Sequence, residues 1–294
     1  MLQRLNRMDP KKTTFEAIKT TYQRAIDGLG IIINKTSGAE LFFRARINPG
    51  TKLTKVDELH APPPERVHGF QRCNRPGHPM FYSSSRRASA LSECRAQVGD
   101  VAYLSQWIGR GKIPFNRLLD DHGDEQFIDN LRPVDHLLIS HFDTIFTRRI
   151  HDTFSDDYKF TAAITELLTK RFQAWDKFNV GADGHVALRY PSVQQFDGAY
   201  NTAMDPAFAR ERLSLVHVME LTVEQTEPEI RVAVTDTAIE FSDGLIRWTG
   251  DVTKVPTLRP SNRDVEFIKA NQGWLIRTLN EVPSQDYLAA ILHE

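Results

Sequence analysis

Polar residues of different chemical types are concentrated between residues 69 and 98. A loop rich in Gly, Pro and Asn carries Arg72 and Asn74, the apolar run after it ends in Tyr82, and the helix predicted next carries Glu93. Small neutral residues flank Glu93 at helical spacing, which leaves the room that a ligand beside a carboxylate needs. From spacing alone, a solvated helix glutamate is the more common explanation. The stretch is therefore a candidate site with two open interpretations.

Three elements are expected to position these groups. Residues 80–82 predict a short buried strand, and the prolines before it keep the loop extended. Ser84 or Ser85 can cap the following helix, and Gly99 can end it. The apolar stripe of this helix is expected to consist of Leu91, Cys94 and Val98.

Residues 40–47 alternate between two sets of side chains and predict a β-strand. Arg44 and Arg46 share one face of this strand. Guanidinium groups match phosphate oxygens in a bidentate geometry, so the pair is available to hold a diphosphate. A strand face turned toward solvent is the alternative, and for an isolated strand it is the more common one.

A later strand, over residues 186–190, leads into Pro191 and Ser192. Pro191 prevents a helix from starting there and leaves Ser192 in an extended corner. Taken by itself, Ser192 is a turn serine. It is not an esterase nucleophile, because the strained Gly-x-Ser-x-Gly elbow is absent.

The composition restricts the class of protein. The 294 residues include 37 Lys and Arg against 38 Asp and Glu, for a net charge of −1, which argues against a nucleic-acid binder. No apolar run approaches the roughly 20 residues of a membrane span. Two cysteines in so long a chain favour a reducing compartment. We expect a cytoplasmic protein that contacts no membrane and holds no metal, because its His, Cys and acidic clusters match no ligand spacing.

Four segments resemble the RES domain family, which is named for an arginine, a glutamate and a serine. The central two read QRCN-x-PG-x-P-x-x-Y, from Gln71, and A-x-S-E-C-R, from Ala90. The FFRAR strand precedes them, and the LRYPSV segment with a trailing Asn201 follows. The resemblance extends over residues 39–225. The chain departs from the family pattern at Gln71, where glycine is usual, at Cys73, and at a phenylalanine that replaces the first tyrosine of the early strand.

The resemblance implies an α+β fold with a mixed-sheet core like that of ADP-ribosyltransferases and with flanking helices. Residues 1–38 would then be an N-terminal helical extension, and residues 39–225 the NAD-binding catalytic domain. Residues 226–294 would be a β-rich C-terminal extension packed on the same domain. Its turn signals predict a hairpin around Ser242–Gly244 and a closing helix from Pro283.

The resemblance also implies a reaction, cleavage of the bond between nicotinamide and ribose, with NAD as the substrate. Glu93 would stabilise positive charge on the ribose ring as nicotinamide leaves. Tyr82 would pack on nicotinamide or fix a ribose hydroxyl, and Ser192 would hydrogen-bond the nicotinamide-ribose end. Arg44 and Arg72 would hold the diphosphate, with Arg46 as the alternative on the early strand. The implied NAD-binding residues are Arg44, Arg46, Arg72, Asn74 and Tyr82.

Family members usually act as toxins of bacterial toxin–antitoxin pairs. The resemblance therefore implies growth arrest through loss of NAD, and a helix-turn-helix partner protein whose tail blocks the cleft. Water, phosphate and a protein side chain are all open as acceptors of ADP-ribose. A transferase that modifies one specific protein, and a non-catalytic binding module with the same fold, are the alternatives.

Overall fold

The computed structural model describes residues 2–27, 29, 33–36, 40–48, 50–110, 112–118, 133–150, 152–170, 185–193, 199–227, 230–250, 265–270 and 273–278. Within these ranges the chain forms an α+β fold. Its helices are α1 (Leu2–Asn6), α2 (Phe15–Ile26), α3 (Arg87–Glu93), α4 (Pro133–Thr147), α5 (Tyr158–Lys170) and α6 (Pro206–Arg212). None of these helices is long and apolar enough to cross a membrane.

A mixed sheet of nine strands dominates the described part of the chain. Its strands are β1 (Ile33–Lys35), β2 (Leu41–Ile47), β3 (Phe81–Ser84), β4 (Val101–Gly109), β5 (Pro114–Arg117), β6 (Ala187–Pro191), β7 (Tyr200–Met204), β8 (Leu213–Gln225) and β9 (Arg231–Ala238). The strand order is β1-β5-β6-β7-β3-β2-β4-β8-β9, in which β5 and β6 run parallel and the other neighbours antiparallel. Two further strands, β10 (Val265–Ala270) and β11 (Gly273–Thr278), pair with each other.

The sheet takes strands from all three segments into which the sequence was divided. β1 belongs to residues 1–38 and pairs with β5, while β9 lies beyond residue 225 and pairs with β8. Ile18 and Tyr22 of α2 pack in the same apolar cluster as Phe146 of α4 and Leu188 of β6. The N-terminal and C-terminal segments therefore complete the sheet and core of the central one.

β2 is buried on both faces. Phe43 and Ala45 pack with Leu91 of α3 on one side, and Phe42 packs on the other. The predicted alternation is confirmed, and Arg44 shares the Phe42 side, where its guanidinium lies over the Phe81 ring. A solvent-facing side is wrong here, because Phe42 is 1% exposed and the Arg44 guanidinium packs on the Phe81 ring.

The helix after β3 begins later than the sequence indicates. α3 starts at Arg87, and no side chain caps it, so capping by Ser84 or Ser85 is wrong. The predicted strand instead continues to Ser84 and pairs with β7. Both serine hydroxyls are used in that pairing, because Ser84 Oγ donates to the Tyr200 carbonyl and Ser85 Oγ accepts from the Tyr200 N–H.

The same helix ends earlier than Gly99. Its last residue is Glu93, and Arg95 follows with φ of 53°, in the left-handed region that stops a helix. Val98 is consequently 65% exposed and does not extend the apolar stripe. The early end places Glu93 at the tip of α3, where a side chain can reach a neighbouring strand.

The predicted turn at Ser242–Gly244 is confirmed in shortened form. A single bridge joins Glu240 to Arg247 across it, and Asp243 and Gly244 both adopt positive φ angles. The polar stretch before residue 263 is followed by the β10–β11 hairpin, which the sequence pattern did not predict. The closing helix expected from Pro283 lies outside the described residues.

His217 on β8 is a buried titratable group. It is 1% exposed, and neither ring nitrogen has a hydrogen-bond partner among the described residues. Burial, followed by the nearby Arg87 guanidinium, lowers the pKa of His217 to about 3. Between that value and the ordinary histidine pKa of about 6.5, the unfolded chain takes up a proton that the folded chain does not.

Acidification is therefore expected to destabilise the fold through His217. From pH 7 to pH 5 this group should lower the free energy of unfolding by about 2 kcal/mol, because only the unfolded state is protonated in that window. A His217→Leu variant should lose this part of the pH dependence. Denaturant unfolding of both proteins at the two pH values measures it, and identical pH dependences would contradict the assignment.

Candidate active site

A cleft of about 970 Å³ lies beside the centre of the sheet. β2, β3, α3 and the loop before β3 form one part of its wall, and the segment that joins α4 to α5 forms another. Its volume is in the range of small-molecule sites, roughly 300–1,000 Å³. We call it the Glu93 cleft. The residues named from the sequence that line it are Arg44, Arg46, Arg72, Tyr82 and Glu93.

Glu93 is held by two side chains from other elements. Its Oε1 accepts a hydrogen bond from Ser192 Oγ at 2.7 Å and another from Asn201 Nδ2 at 2.8 Å. Its Oε2 accepts no hydrogen bond from the described residues. The carboxylate is therefore fixed in orientation by one oxygen, and the other is available to a ligand. A solvated helix glutamate does not describe this environment.

Ser192 lies directly after the end of β6. Pro191 ends β6, and the Ser192 N–H donates to the Ala199 carbonyl at 2.9 Å. The residue is 6% exposed, and its hydroxyl donates to the Glu93 carboxylate. In this structure Ser192 thus positions Glu93. A hydroxyl has only one proton to donate. A hydrogen bond from Ser192 to the nicotinamide ribose would therefore compete with the one to Glu93.

With the role that the motif resemblance implies for Glu93, loss of the Ser192 hydroxyl is expected to lower kcat for NAD cleavage about ten-fold at nearly constant KM. A hydrogen bond to a charged group stabilises by roughly 1.5–3 kcal/mol, and Asn201 still holds Glu93 in a Ser192→Ala variant. Steady-state kinetics of NAD cleavage measures kcat and KM separately, and Ser192→Thr should restore kcat. Ser140→Ala, on the exposed side of α4, is the control. An increase in KM with unchanged kcat would instead indicate a direct substrate contact.

Each nitrogen of the Arg44 guanidinium donates a hydrogen bond to a backbone carbonyl. Its Nε donates to the Leu59 carbonyl at 3.1 Å, Nη1 to that of Tyr82 at 2.9 Å and Nη2 to that of His60 at 3.2 Å. Burial lowers the pKa of Arg44 from its ordinary value. The guanidinium holds residues 59–60 against the sheet, and each of its nitrogens is already used.

Arg46 has donors left. Its Nη1 donates to the Glu58 carbonyl, whereas Nε and Nη2 have no partner among the described residues. The side chain is half-buried and lines the cleft. Of the two arginines between which the sequence does not choose, the geometry favours Arg46 as a phosphate contact.

Arg72 is fixed by the carboxyl-terminal end of α4. Its Nη1 donates to the Phe146 carbonyl and its Nη2 to the Arg148 carbonyl at 3.2 Å. The guanidinium carbon lies 5.5 Å from the centre of the Tyr158 ring. These partners are neutral, so Arg72 is oriented while its positive charge is not cancelled by a carboxylate in the described chain.

The Tyr82 hydroxyl also has hydrogen-bond partners within the chain. It donates to Asn74 Oδ1 at 2.6 Å and accepts from the Cys73 N–H at 3.0 Å. Burial raises the pKa of this hydroxyl well above its usual value. Of the two roles expected for Tyr82, packing of its ring on a ligand is therefore favoured over a hydrogen bond to a ribose hydroxyl. Asn74 is 1% exposed and lines an adjoining cleft instead.

Two further arginines line the Glu93 cleft that were not singled out in the sequence. Arg95 donates to the Ile150 carbonyl at 3.4 Å, and Arg149 donates to the Val193 carbonyl from Nε and Nη2 at 3.2 and 3.0 Å. Arg95 follows Glu93 by two residues inside the A-x-S-E-C-R segment, which is a usable signal. Arg149 lies in no motif and is brought in by the fold alone.

The charges of the Glu93 cleft are strongly unequal. Its described lining contains five arginines and one acid, Glu93. In a partly buried cleft, charges interact several times more strongly than in bulk water. The arrangement suits a ligand that is anionic in one part and carries, or develops, positive charge beside Glu93.

Comparison with known proteins adds no family assignment. A scan against protein-family models found no matching model, and a search of curated proteins found no match. Interpretation of the cleft therefore depends on its geometry and on the resemblance of the motifs.

Proposed function

We propose that this protein cleaves the bond between nicotinamide and ribose of NAD. The observation that carries the proposal is Glu93, the single acid among the described residues that line the Glu93 cleft, oriented by Ser192 and Asn201 and accompanied by arginines. NAD has a matching charge distribution, with a cationic nicotinamide ring at one end and two phosphates beyond the ribose. The resemblance of the motifs to the RES family supports the same substrate.

The chemistry follows from what each group can do. As nicotinamide leaves, positive charge moves onto the ribose ring, and a fixed carboxylate stabilises that charge. Glu93 Oε2 is the oxygen available for this purpose, because Oε1 already accepts two hydrogen bonds. The Tyr82 ring offers a surface for the nicotinamide, and Arg46 and Arg72 offer donors for the diphosphate.

The proposal also includes an ADP-ribosyltransferase-like fold for the core and a biological role as a toxin. The mixed sheet with a cleft beside its central strands agrees with an ADP-ribosyltransferase-like core. By the same resemblance, the protein would act as a toxin that depletes NAD. A helix-turn-helix antitoxin would then control it by covering the cleft.

One assay distinguishes the reaction classes. The purified protein is incubated with NAD in the presence and absence of phosphate, and the products are separated by chromatography. Free ADP-ribose means hydrolysis, ADP-ribose 1″-phosphate means phosphorolysis, and labelled protein means transfer. Intact NAD in every condition, with folded protein, would reject hydrolysis and phosphorolysis and would leave the protein-specific transferase and the non-catalytic binding module.

Expression in a bacterial host is expected to lower cellular NAD and to stop growth. The reason is that the cleft residues would consume a metabolite that every cell needs. NAD is measured in extracts before and after induction, with a Glu93→Gln strain as the control for the burden of expression. Normal growth and unchanged NAD, with folded protein confirmed, would contradict the toxin role.

A further inference from the structure

A second cleft, of about 900 Å³, adjoins the Glu93 cleft. We call it the His60 cleft. Arg44, Arg46, Pro62 and Met80 line both clefts and so form the boundary between them. The two arginines of β2 therefore lie between two cavities of similar size and contribute to the wall of each.

The acids of the His60 cleft are already partnered. Four acids occur among the described residues that line it. Their partners are Arg210 for Asp57, the N–H groups of Thr54 and Lys55 for Glu58, Lys19 and Arg75 for Glu166, and the Ala207 N–H for Asp205. These carboxylates are satisfied within the chain.

The remaining wall combines the cations Arg66, Lys170 and Arg210 with flat, uncharged surfaces. The His60 ring packs 4.5 Å from the Trp107 ring and 5.9 Å from the Phe81 ring. Burial, followed by the nearby Arg210 charge, lowers the pKa of His60 to about 4, so the imidazole is neutral at pH 7. The proline rings at residues 62–64 and the Met80 thioether add rigid and polarisable surface. A neutral aromatic heterocycle is the chemical group that such a wall accommodates.

We propose that the His60 cleft binds the adenosine half of NAD, so that the two clefts form one dinucleotide groove. This inference rests on the proposed function, since it assigns the part of the substrate that the Glu93 cleft does not hold. Along the groove the protein offers the Glu93 carboxylate, then the Arg46 guanidinium, then the flat surfaces of His60 and of the prolines at residues 62–64. NAD offers, in the same order, a cationic nicotinamide, an anionic diphosphate and a neutral adenine.

The test compares NAD with nicotinamide mononucleotide, which has the scissile bond but no adenosine. Ala207 lines the His60 cleft and is exposed, so a Trp there fills the cleft without entering the core. For Ala207→Trp we expect KM for NAD to rise at least about ten-fold, while KM for the mononucleotide stays unchanged. Val98→Trp is the matched control, because Val98 is 65% exposed and lines neither cleft.

Equal increases for both substrates, or no change for either with folded Ala207→Trp, would overturn the inference. A wild-type protein that cleaves neither substrate would reject the proposed reaction instead. In that case calorimetric titration with AMP decides the question of the second cleft by itself. AMP binding that Ala207→Trp removes supports the adenosine site, whereas absent binding, or binding that survives the substitution, overturns it.

Discussion

Replacing Glu93 with Gln is expected to lower kcat for NAD cleavage by roughly 10²–10³-fold and to leave KM almost unchanged. The amide oxygen of Gln can still accept the hydrogen bonds from Ser192 and Asn201, so the side chain keeps its place. What is lost is the negative charge. A charge that acts on a developing cation contributes mainly in the transition state, which is why kcat falls and KM does not rise.

The Glu93→Gln result is checked by steady-state kinetics together with thermal unfolding of the variant. Glu224→Gln provides the same chemical change on an exposed position of β8 and should behave as wild type. A merely solvated glutamate would give no loss of rate and almost no loss of stability. Turnover within a few-fold of wild type would therefore show that the active site has been placed wrongly.

Replacing Arg72 with Ala is expected to weaken NAD binding by roughly 1.5–3 kcal/mol, seen as a rise in KM of about 10- to 150-fold. Its guanidinium faces the cleft while neutral carbonyls of Phe146 and Arg148 hold it in place. Removal of the side chain also releases these two carbonyls. Some loss of stability is therefore expected beside the loss of affinity.

The two consequences of the Arg72 substitution separate in kinetics. Loss of folded protein lowers the apparent kcat, whereas loss of a phosphate contact raises KM. Arg72→Lys keeps the charge but not the planar fork, so it should restore part of the affinity. Arg231→Ala, on the exposed start of β9, controls for loss of surface charge. A wild-type KM for folded Arg72→Ala would assign the diphosphate to other arginines.

Features that depend on local spacing could be predicted from the sequence. The alternation over residues 40–47 placed Arg44 and Arg46 on one face of β2, because successive side chains of a strand point to opposite sides. The strand predicted over residues 186–190 placed Ser192 directly after its end, and β6 ends at Pro191. The motif spacings also selected Glu93, Arg72 and Tyr82, which line one cleft in the structure.

The groups that these residues contact depend on the tertiary structure. Ser192 and Asn201 lie 99 and 108 positions from Glu93, and they reach it because β3 pairs with β7 and β7 with β6. Arg149 enters the cleft from the end of α4 with no motif of its own.

Local pattern also failed wherever a distant partner competed for the same atoms. Ser84 and Ser85 were expected to cap α3, but their hydroxyls bind the backbone of Tyr200 on β7. Arg44 was expected to hold phosphate, but each of its three nitrogens already donates to a carbonyl, of Leu59, Tyr82 or His60. Spacing along the chain fixes the face on which a side chain lies. Its hydrogen-bond partner is fixed by strand pairing and loop packing, which bring together residues far apart in sequence.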